Sequence, residues 1–413
     1  MKSIARYLSI ALCVLLLAGS LFSCESRPLK PSKDTLAVVG QVGDYDVLYE
    51  ELYVLASTYA EQLVLKYGED AASSNASLTV TDEKTGEEIE TTVSRQYEKE
   101  LKTLVYENIV ANYAILSLCD DFGITAESEE LDERVQLTID SYVQNQFGGK
   151  RSQYLDYLKD NGVTDHYLRF TTRVDLLYGQ LLTECLSRGY IESDAQTIRD
   201  MIPHEFARTW HIMILNGDHA PKNLERAEEA LAKLESGEKT MYQMIGSTYN
   251  DDLMNTSLNG YYFAKGTMNE AYEDAAFGLE IGQISGIVAS VGEDANGMPT
   301  DCYYIIQRME LEDEYIEKNL SSLITQYQDA ALYGMVEKVK GNLSFSPNEY
   351  GASLDLDALT APKEADPTVT IIVGSVTIGV VLIGGGVTLT VILLRKKNQR
   401  LLRGAQAKLE AKK

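Results

Sequence analysis

The 413-residue sequence contains few of the residues that build metal centres or disulfide frameworks, with five cysteines and four histidines. Cys13 and Cys24 lie near the N-terminus, and the other three cysteines are scattered without regular spacing. Three cysteines without a pattern argue against a set of disulfides and against a zinc site. The histidines form no close-spaced ligand set with cysteine, and His204-Glu205 lacks the second histidine of a zinc-protease helix. We therefore expect neither a metal nor any other cofactor.

Long apolar runs are restricted to the two ends of the chain. At the N-terminus, Lys2 and Arg6 precede the apolar residues 8–17, and small residues follow. This pattern is typical of an export signal over residues 1–23, since the run is shorter than the roughly 20 residues that span a bilayer. The run leads to Leu-Phe-Ser-Cys24, which resembles the lipobox of bacterial lipoproteins and predicts lipidation of Cys24. The alternative is an ordinary cleaved signal peptide in which Cys24 has no role.

The C-terminal apolar run predicts a transmembrane helix. Residues 368–394 are uncharged and rich in valine, isoleucine and leucine, and they are long enough to cross a bilayer with some tilt. Three basic residues follow at once, and residues 395–413 contain eight Lys/Arg against one Glu. A basic flank of this kind predicts that the tail is cytoplasmic. Small residues between Ser375 and Gly386 allow close helix contact, and with it a dimer.

Positive charge is scarce outside this tail. The net charge of the whole chain is −25 even with the basic tail included, so the acidic excess lies in residues 24–367. A body of this charge disfavours binding to nucleic acid or anionic lipid and favours cationic partners.

Apolar periodicity divides the body into a helical part and a mixed part. Residues 35–206 are mostly helical, and residues 207–310 follow the order β-α-α-β-α-β-β. Residues 311–341 form an amphipathic helix that we expect to complete the N-terminal helical domain, and residues 342–367 are predicted to be a linker. The predicted fold class is α+β: a helical chaperone-like domain with an inserted small antiparallel sheet and flanking helices, plus the C-terminal transmembrane helix.

The stretch FAKGTMNEAYEDAAFGLEIGQIS, residues 263–285, contains no nucleophile, metal ligand set or phosphate-binding loop. It resembles the parvulin family of peptidyl-prolyl cis–trans isomerases, in which G-x-F-x-x-G-x-M-x-x-x-F-E-x-A-A-F-x-L-x-x-G-x-x-S is typical. His211-Ile212-Met213 matches the first strand of that family, and residues 302–306 match its last strand. The resemblance covers residues 208–310, a quarter of the chain. The residues shared with the longer motif are Gly266, Met268, Glu273, Ala275, Ala276, Phe277, Leu279, Gly282 and Ser285.

The resemblance implies a proline-binding cleft in an inserted parvulin-like domain. Asp251 is the better match to an acidic or cysteine position of the family, with Asp252 as its neighbour. Tyr304 stands where active parvulins place a second histidine, and Tyr272 stands where the family usually has phenylalanine. The implied catalytic residues are His211, Asp251 and Tyr304, and the implied substrate-binding residues are Phe263, Met268 and Tyr272.

Structural interpretations of the same residues stay open at this point. His211 could be a core histidine bonded to Tyr304 across adjacent strands. Phe263, Met268 and Phe277 could be ordinary core residues. The two acids at 251 and 252 could simply be a solvated loop.

The order of segments resembles exported foldases of the PrsA and SurA type. That resemblance implies a membrane-anchored isomerase, outside the cytoplasm, whose partners are unfolded or partly folded exported polypeptides. The alternative is a non-catalytic holdase chaperone with a silent parvulin domain, which the tyrosines at 272 and 304 favour. A third hypothesis, a structural or adhesion protein, has no repeat or cell-wall motif in its support.

Overall fold

The computed structural model describes residues 35–68, 70–81, 88–216, 220–252, 259–293 and 299–357. The strands among these residues are β1 (Val38–Val42), β2 (Tyr45–Leu48), β3 (Ser77–Thr81), β4 (Glu88–Thr92), β5 (Phe206–Leu215), β6 (Tyr261–Ala264), β7 (Val288–Glu293), β8 (Pro299–Met309) and β9 (Phe345–Pro347). The α-helices are α1 (Tyr49–Tyr67), α2 (Val93–Asp121), α3 (Glu129–Phe147), α4 (Arg151–Asp160), α5 (Asp165–Ser187), α6 (Ala195–Glu205), α7 (Ala220–Glu235), α8 (Met241–Ile245), α9 (Glu270–Gly278), α10 (Asp313–Lys340) and α11 (Glu349–Ala352). The predicted mixture of helix and antiparallel strand is therefore present.

The helical part is organised around α2. Its N-terminus is capped by Thr92, whose hydroxyl accepts a hydrogen bond from the Arg95 backbone N–H at 3.4 Å. One stripe of α2, which includes Leu101, Val105 and Ile109, is almost wholly buried against α1 and α5. Apolar residues at three- and four-residue spacing place one face of each helix in this core.

A three-stranded sheet joins the two ends of the described chain. Its order is β2-β1-β9, and β1 pairs antiparallel with both neighbours. The linker predicted over residues 342–367 is therefore wrong for residues 345–352, which form β9 and α11. The close approach is possible because Gly40 and Gly351 have no side chain: a Cβ at Gly351 would lie 1.9 Å from the Val39 carbonyl oxygen.

The second sheet has four antiparallel strands in the order β6-β5-β8-β7. Side chains alternate across β5: Ile212 and Ile214 pack against α7 and α8, whereas Ala207 and Met213 pack on the side of α9. His211 belongs to the α9 side by the same alternation. The strand pattern thus decides which helix faces the predicted catalytic histidine.

Strand β7 begins only at Val288, three residues after Ser285. Before it, the Ser285 hydroxyl accepts a hydrogen bond from the Ile306 N–H at 2.9 Å, and the Ser285 N–H donates to the Ile306 carbonyl at 2.8 Å. A side-chain oxygen therefore takes the place of a backbone carbonyl, which interrupts regular pairing at this point.

Helix α10 connects the four-stranded sheet to the helical part, as its sequence pattern predicts. Leu332 and Val336 lie in the core around α2, while Ile316 and Leu323 pack with residues of α6 and β6. Buried Arg208 on β5 strengthens the junction, since its guanidinium pairs with Glu312 at 2.6 Å, beside the start of α10.

Several predictions about the chain ends concern residues outside the described ranges. These are the signal peptide 1–23, the lipidation site Cys24, the transmembrane helix 368–394 and the tail 395–413. Across the part of the chain that the structure does describe, none of the helices combines the length and apolar character needed to cross a bilayer.

Candidate active site

The site is built around His211, whose side chain is held by hydrogen bonds at both ring nitrogens. Nδ1 lies 2.7 Å from the Tyr272 hydroxyl oxygen, and Nε2 lies 3.3 Å from Oδ2 of Asp252. The Tyr261 ring stacks on the imidazole, with 4.7 Å between centroids and 13° between planes. Only 3% of His211 is exposed, and the ring is fixed by partners on α9, on β6 and in the loop that contains Asp252.

Tyr272 lies behind His211 and not in an open cleft. It projects from α9 and is 0% exposed, and its hydroxyl also lies 2.7 Å from the Thr209 hydroxyl. Burial raises the pKa of Tyr272 above its usual range, so the phenol keeps its proton. The structure places Tyr272, which was predicted to bind substrate, inside the domain with none of its surface exposed. Its contact is with the histidine.

The structure separates the two adjacent acids. Asp251 Oδ2 accepts a hydrogen bond from the Leu215 N–H at 3.0 Å and pairs with Arg226, away from His211. Asp252 Oδ2 faces His211 and also accepts the Tyr261 hydroxyl at 2.8 Å. The acid that faces His211 is therefore Asp252 and not the predicted Asp251.

Asn250 provides the reason for this separation. Its Oδ1 accepts hydrogen bonds from the Met213 N–H at 3.0 Å and the Asp252 N–H at 3.2 Å. The Asp251 N–H in turn donates to the Met213 carbonyl at 2.7 Å. These bonds attach the loop to β5, so that consecutive side chains point in different directions. No sequence pattern around 250–252 distinguishes the two acids.

Tyr304 lies beside His211 through its ring. The centroids are 5.0 Å apart and nearly perpendicular, and the Tyr304 ring lies 4.9 Å from that of Tyr272. Its hydroxyl donates to the sulfur of Met213, its cross-strand neighbour, at 3.2 Å. Burial raises the pKa of Tyr304 above its usual range. Tyr304 is thus part of the site, with its hydroxyl directed at a sulfur atom.

The apolar part of the site has one buried wall and one accessible residue. Phe263 is 4% exposed and packs edge-on against Tyr272 and Phe277, so it is part of the buried apolar cluster under the site. Met268 is only half-buried and packs against the same cluster, which leaves part of its side chain accessible to a ligand.

Glu273 fixes the position of Met268. Its carboxylate accepts backbone N–H groups from Gly266 at 2.7 Å, Thr267 at 3.2 Å and Met268 at 3.3 Å. The turn also requires the positive φ of +80° at Gly266. Sequence reasoning matched Glu273 and Gly266 to the family motif without giving either a role, and the structure supplies one.

This geometry places half-buried Met268 on an apolar cluster whose Tyr272 and Tyr304 rings contact the histidine, and the histidine is hydrogen-bonded to a carboxylate. Residues 211–297 match the Rotamase family, described as a PPIC-type PPIASE domain. The chain contains a PPIC-type peptidyl-prolyl isomerase domain. The prediction of a parvulin-type isomerase is confirmed for this domain, and the match begins at His211 and includes Asp252, Met268 and Tyr272.

Several solved structures are similar to part of this chain. PrsA from Bacillus anthracis is 21% identical over 57% of this chain and 93% of its own, with a TM-score of 0.29. PrsA from Streptococcus pneumoniae is 19% identical over 64% and 93%, with a TM-score of 0.28. A chain from a structure of SurA-like chaperones of Campylobacter jejuni is 13% identical over 61% and 88%, with a TM-score of 0.23. No curated protein matches the sequence. At such scores the assignment depends on the family match.

Proposed function

We propose that this protein is a peptidyl-prolyl cis–trans isomerase that acts on X–Pro bonds of exported polypeptides. The observation that carries the proposal is the arrangement inside the PPIC-type domain. Half-buried Met268 packs on the apolar cluster that contains Tyr272 and Tyr304. Both of these rings contact His211, the partner of Asp252. An apolar surface beside a small polar network suits a proline ring with a polar amide attached to it.

The reaction needs no covalent step. Rotation about X–Pro crosses a barrier of roughly 18–20 kcal/mol, because the planar amide loses its C–N resonance in the twisted state. Met268 and the apolar cluster behind it bind the proline ring, which removes the amide from water. The twisted amide has a less polar carbonyl and a more basic nitrogen, so an environment that excludes water and offers oriented hydrogen-bonding groups stabilises it over the planar ground state.

The polar groups beside the apolar cluster are His211, Asp252 and Tyr261. Their mutual hydrogen bonds hold them in place before substrate arrives, and preorganised groups do not have to reorganise during the reaction. The Tyr304 hydroxyl, which is bonded to sulfur, has no part in this set.

We further propose that the protein works outside the cytoplasm and is attached to the membrane. The signal-like residues 1–23, the lipobox-like Cys24, the apolar residues 368–394 and the basic tail 395–413 support this topology. Its partners are unfolded or partly folded exported polypeptides, and two chains can associate through the small residues of the apolar segment. Labelling with a radioactive fatty acid that is lost in Cys24→Ser, together with protease protection of a tag at the C-terminus in intact cells, tests the two anchors.

A protease-coupled isomerase assay on the full-length protein in detergent tests the activity. Peptides with several different residues before proline are compared with the uncatalysed rate. We expect acceleration that falls at least tenfold in His211→Ala and in Met268→Ala, with both variants retaining the wild-type circular dichroism spectrum. A folded wild-type protein that accelerates none of the peptides refutes the proposed activity.

A second candidate function, a holdase chaperone, is favoured by large apolar side chains on the surface of the helical part. Leu137 is 68% exposed, Leu155 is 45% exposed and Tyr190 is 64% exposed. Such residues can contact unfolded chains. Replacing Leu137 and Leu155 by serine should weaken suppression of client aggregation while the isomerase rate is kept, and His211→Ala should show the opposite pattern.

A further inference from the structure

His211 and Asp252 are joined to a second set of hydroxyl groups that the proposed mechanism does not use. The Tyr272 hydroxyl lies between Nδ1 of His211 and the Thr209 hydroxyl, at 2.7 Å from each. All three residues are buried, with 3% or less of each exposed. Tyr304, which occupies the position of the family's second histidine, bonds to sulfur instead.

The donors and acceptors along this row can be assigned from one end. An ionised aspartate only accepts hydrogen bonds, so Nε2 of His211 carries the proton that faces Asp252. In a neutral imidazole the other nitrogen is then an acceptor, and the Tyr272 hydroxyl must donate to it. The Tyr272 oxygen, having donated its only proton, accepts from the Thr209 hydroxyl. With a neutral ring, each proton in the row therefore has one defined position.

The same row also suits a protonated ring. Both nitrogens of an imidazolium donate, so the Tyr272 oxygen would accept from Nδ1 and turn its own proton towards Thr209. A hydroxyl bonded to a second hydroxyl can make either arrangement. A phenylalanine at 272 would leave Nδ1 buried without this partner in both states.

We infer that Tyr272 is a positioning residue that holds His211 in the Nε2–H form facing Asp252. It acts through the histidine and not on the substrate, and the inference rests on the proposed isomerase function. The Tyr272 hydroxyl on α9 thereby bonds to Nδ1 of His211, whereas the Tyr304 hydroxyl on β8 bonds to the sulfur of Met213. The chain departs from the family pattern at both positions, 272 and 304, and both tyrosine rings contact the same histidine.

The test combines a rate with a spectroscopic measurement on the full-length protein in detergent. Tyr272→Phe removes the hydroxyl and keeps the ring. Tyr262→Phe is the matched control, since that tyrosine is also buried and its hydroxyl accepts one hydrogen bond, from the Glu312 N–H at 3.2 Å, on the other side of the sheet. We expect Tyr272→Phe to lower kcat/KM about tenfold and Tyr262→Phe to leave it within about twofold.

Histidine 15N chemical shifts report the ring directly, with the His211 signals identified by their loss in His211→Gln. Wild-type His211 should show a protonated Nε2 and an unprotonated Nδ1 at pH 8. Tyr272→Phe should keep the proton on Nε2, which still faces Asp252, and should change the 15N shift of Nδ1 because that nitrogen loses its hydrogen bond. A wild-type ring protonated at Nδ1 overturns the inference, whether or not the variant folds. An unchanged rate together with an unchanged Nδ1 shift in Tyr272→Phe overturns it too. If the wild type catalyses nothing, the proposed function fails, while the tautomer still decides the role of Tyr272.

Discussion

Replacing Asp251 and Asp252 one at a time by alanine separates two neighbouring acids whose sequence contexts look alike. Asp252→Ala removes the acceptor for Nε2 of His211 and for the Tyr261 hydroxyl. A hydrogen bond to a charged group is worth about 1.5–3 kcal/mol, and the 3.3 Å contact to His211 places this one near the lower end. A loss of about 1.5–2 kcal/mol of transition-state stabilisation corresponds to a fall in kcat/KM of about 10–30-fold.

Asp251→Ala should instead act on stability. It removes one bond to the Leu215 N–H and the pair with Arg226, whose side chains are 28% and 31% exposed. Because water screens such a pair, the free energy of unfolding should fall by only about 1 kcal/mol. The activity per folded molecule should change by less than about threefold.

The assay is the protease-coupled isomerase measurement, with thermal unfolding followed by circular dichroism on the same samples. The two variants change the same residue type at adjacent positions, so each is the control for the other. If Asp251→Ala loses as much kcat/KM as Asp252→Ala without unfolding, the assignment of the acid to position 252 is wrong.

Three further predictions concern the remainder of the described chain. Gly351→Ala should detach residues 345–352, because the added Cβ meets the Val39 carbonyl; amide hydrogen exchange should rise there by at least about tenfold, and unchanged protection would contradict the close packing. Glu273→Gln should loosen the turn that presents Met268, and it should raise KM more than it lowers kcat. A fall in kcat with KM unchanged would argue against a binding role. Burial raises the pKa of Glu51 from 4.5 to about 7, so the folded protein holds this proton more tightly and the free energy of unfolding should fall as pH rises from about 4.5 to 7. Urea unfolding at pH 5 and pH 8 should show a smaller difference in Glu51→Gln than in the wild type, and an equal difference would exclude this carboxyl as a source.

The parvulin-like part could be predicted closely because its signals are local. Alternation along β5 and β8 and glycine-bounded turns place strands and helices without knowledge of distant residues. The ring of His211 could likewise be expected in the site. Its partners could not, since the choice between Asp251 and Asp252 depends on how Asn250 binds the backbone of β5.

The burial of Tyr272 could not be predicted for a related reason. A pattern match assigns a position to the proline-binding cleft but does not show how deeply the side chain is buried. The Tyr272 hydroxyl reaches Thr209 and His211 only because α9 packs on the sheet. The strand at Phe345–Pro347 was missed because three residues ending in proline carry no strand periodicity. Its partner β1 lies some 300 residues earlier in the sequence.

The pairing of β1 with β9 also determines how the body can be tethered. The described body begins just before β1 and ends ten residues after β9. Between these strands the Asn348 side chain donates to the Val38 carbonyl at 2.7 Å, and beyond them Asp357 accepts from the Tyr97 hydroxyl at 3.0 Å. About ten residues separate each end from a proposed anchor, Cys24 on one side and residue 368 on the other, and ten extended residues reach no more than about 35 Å. If both anchors are present, two segments of about ten residues each connect the body to the lipid. The body would then stay within about 35 Å of the lipid, so polypeptides emerging at the membrane would meet it before they diffuse away.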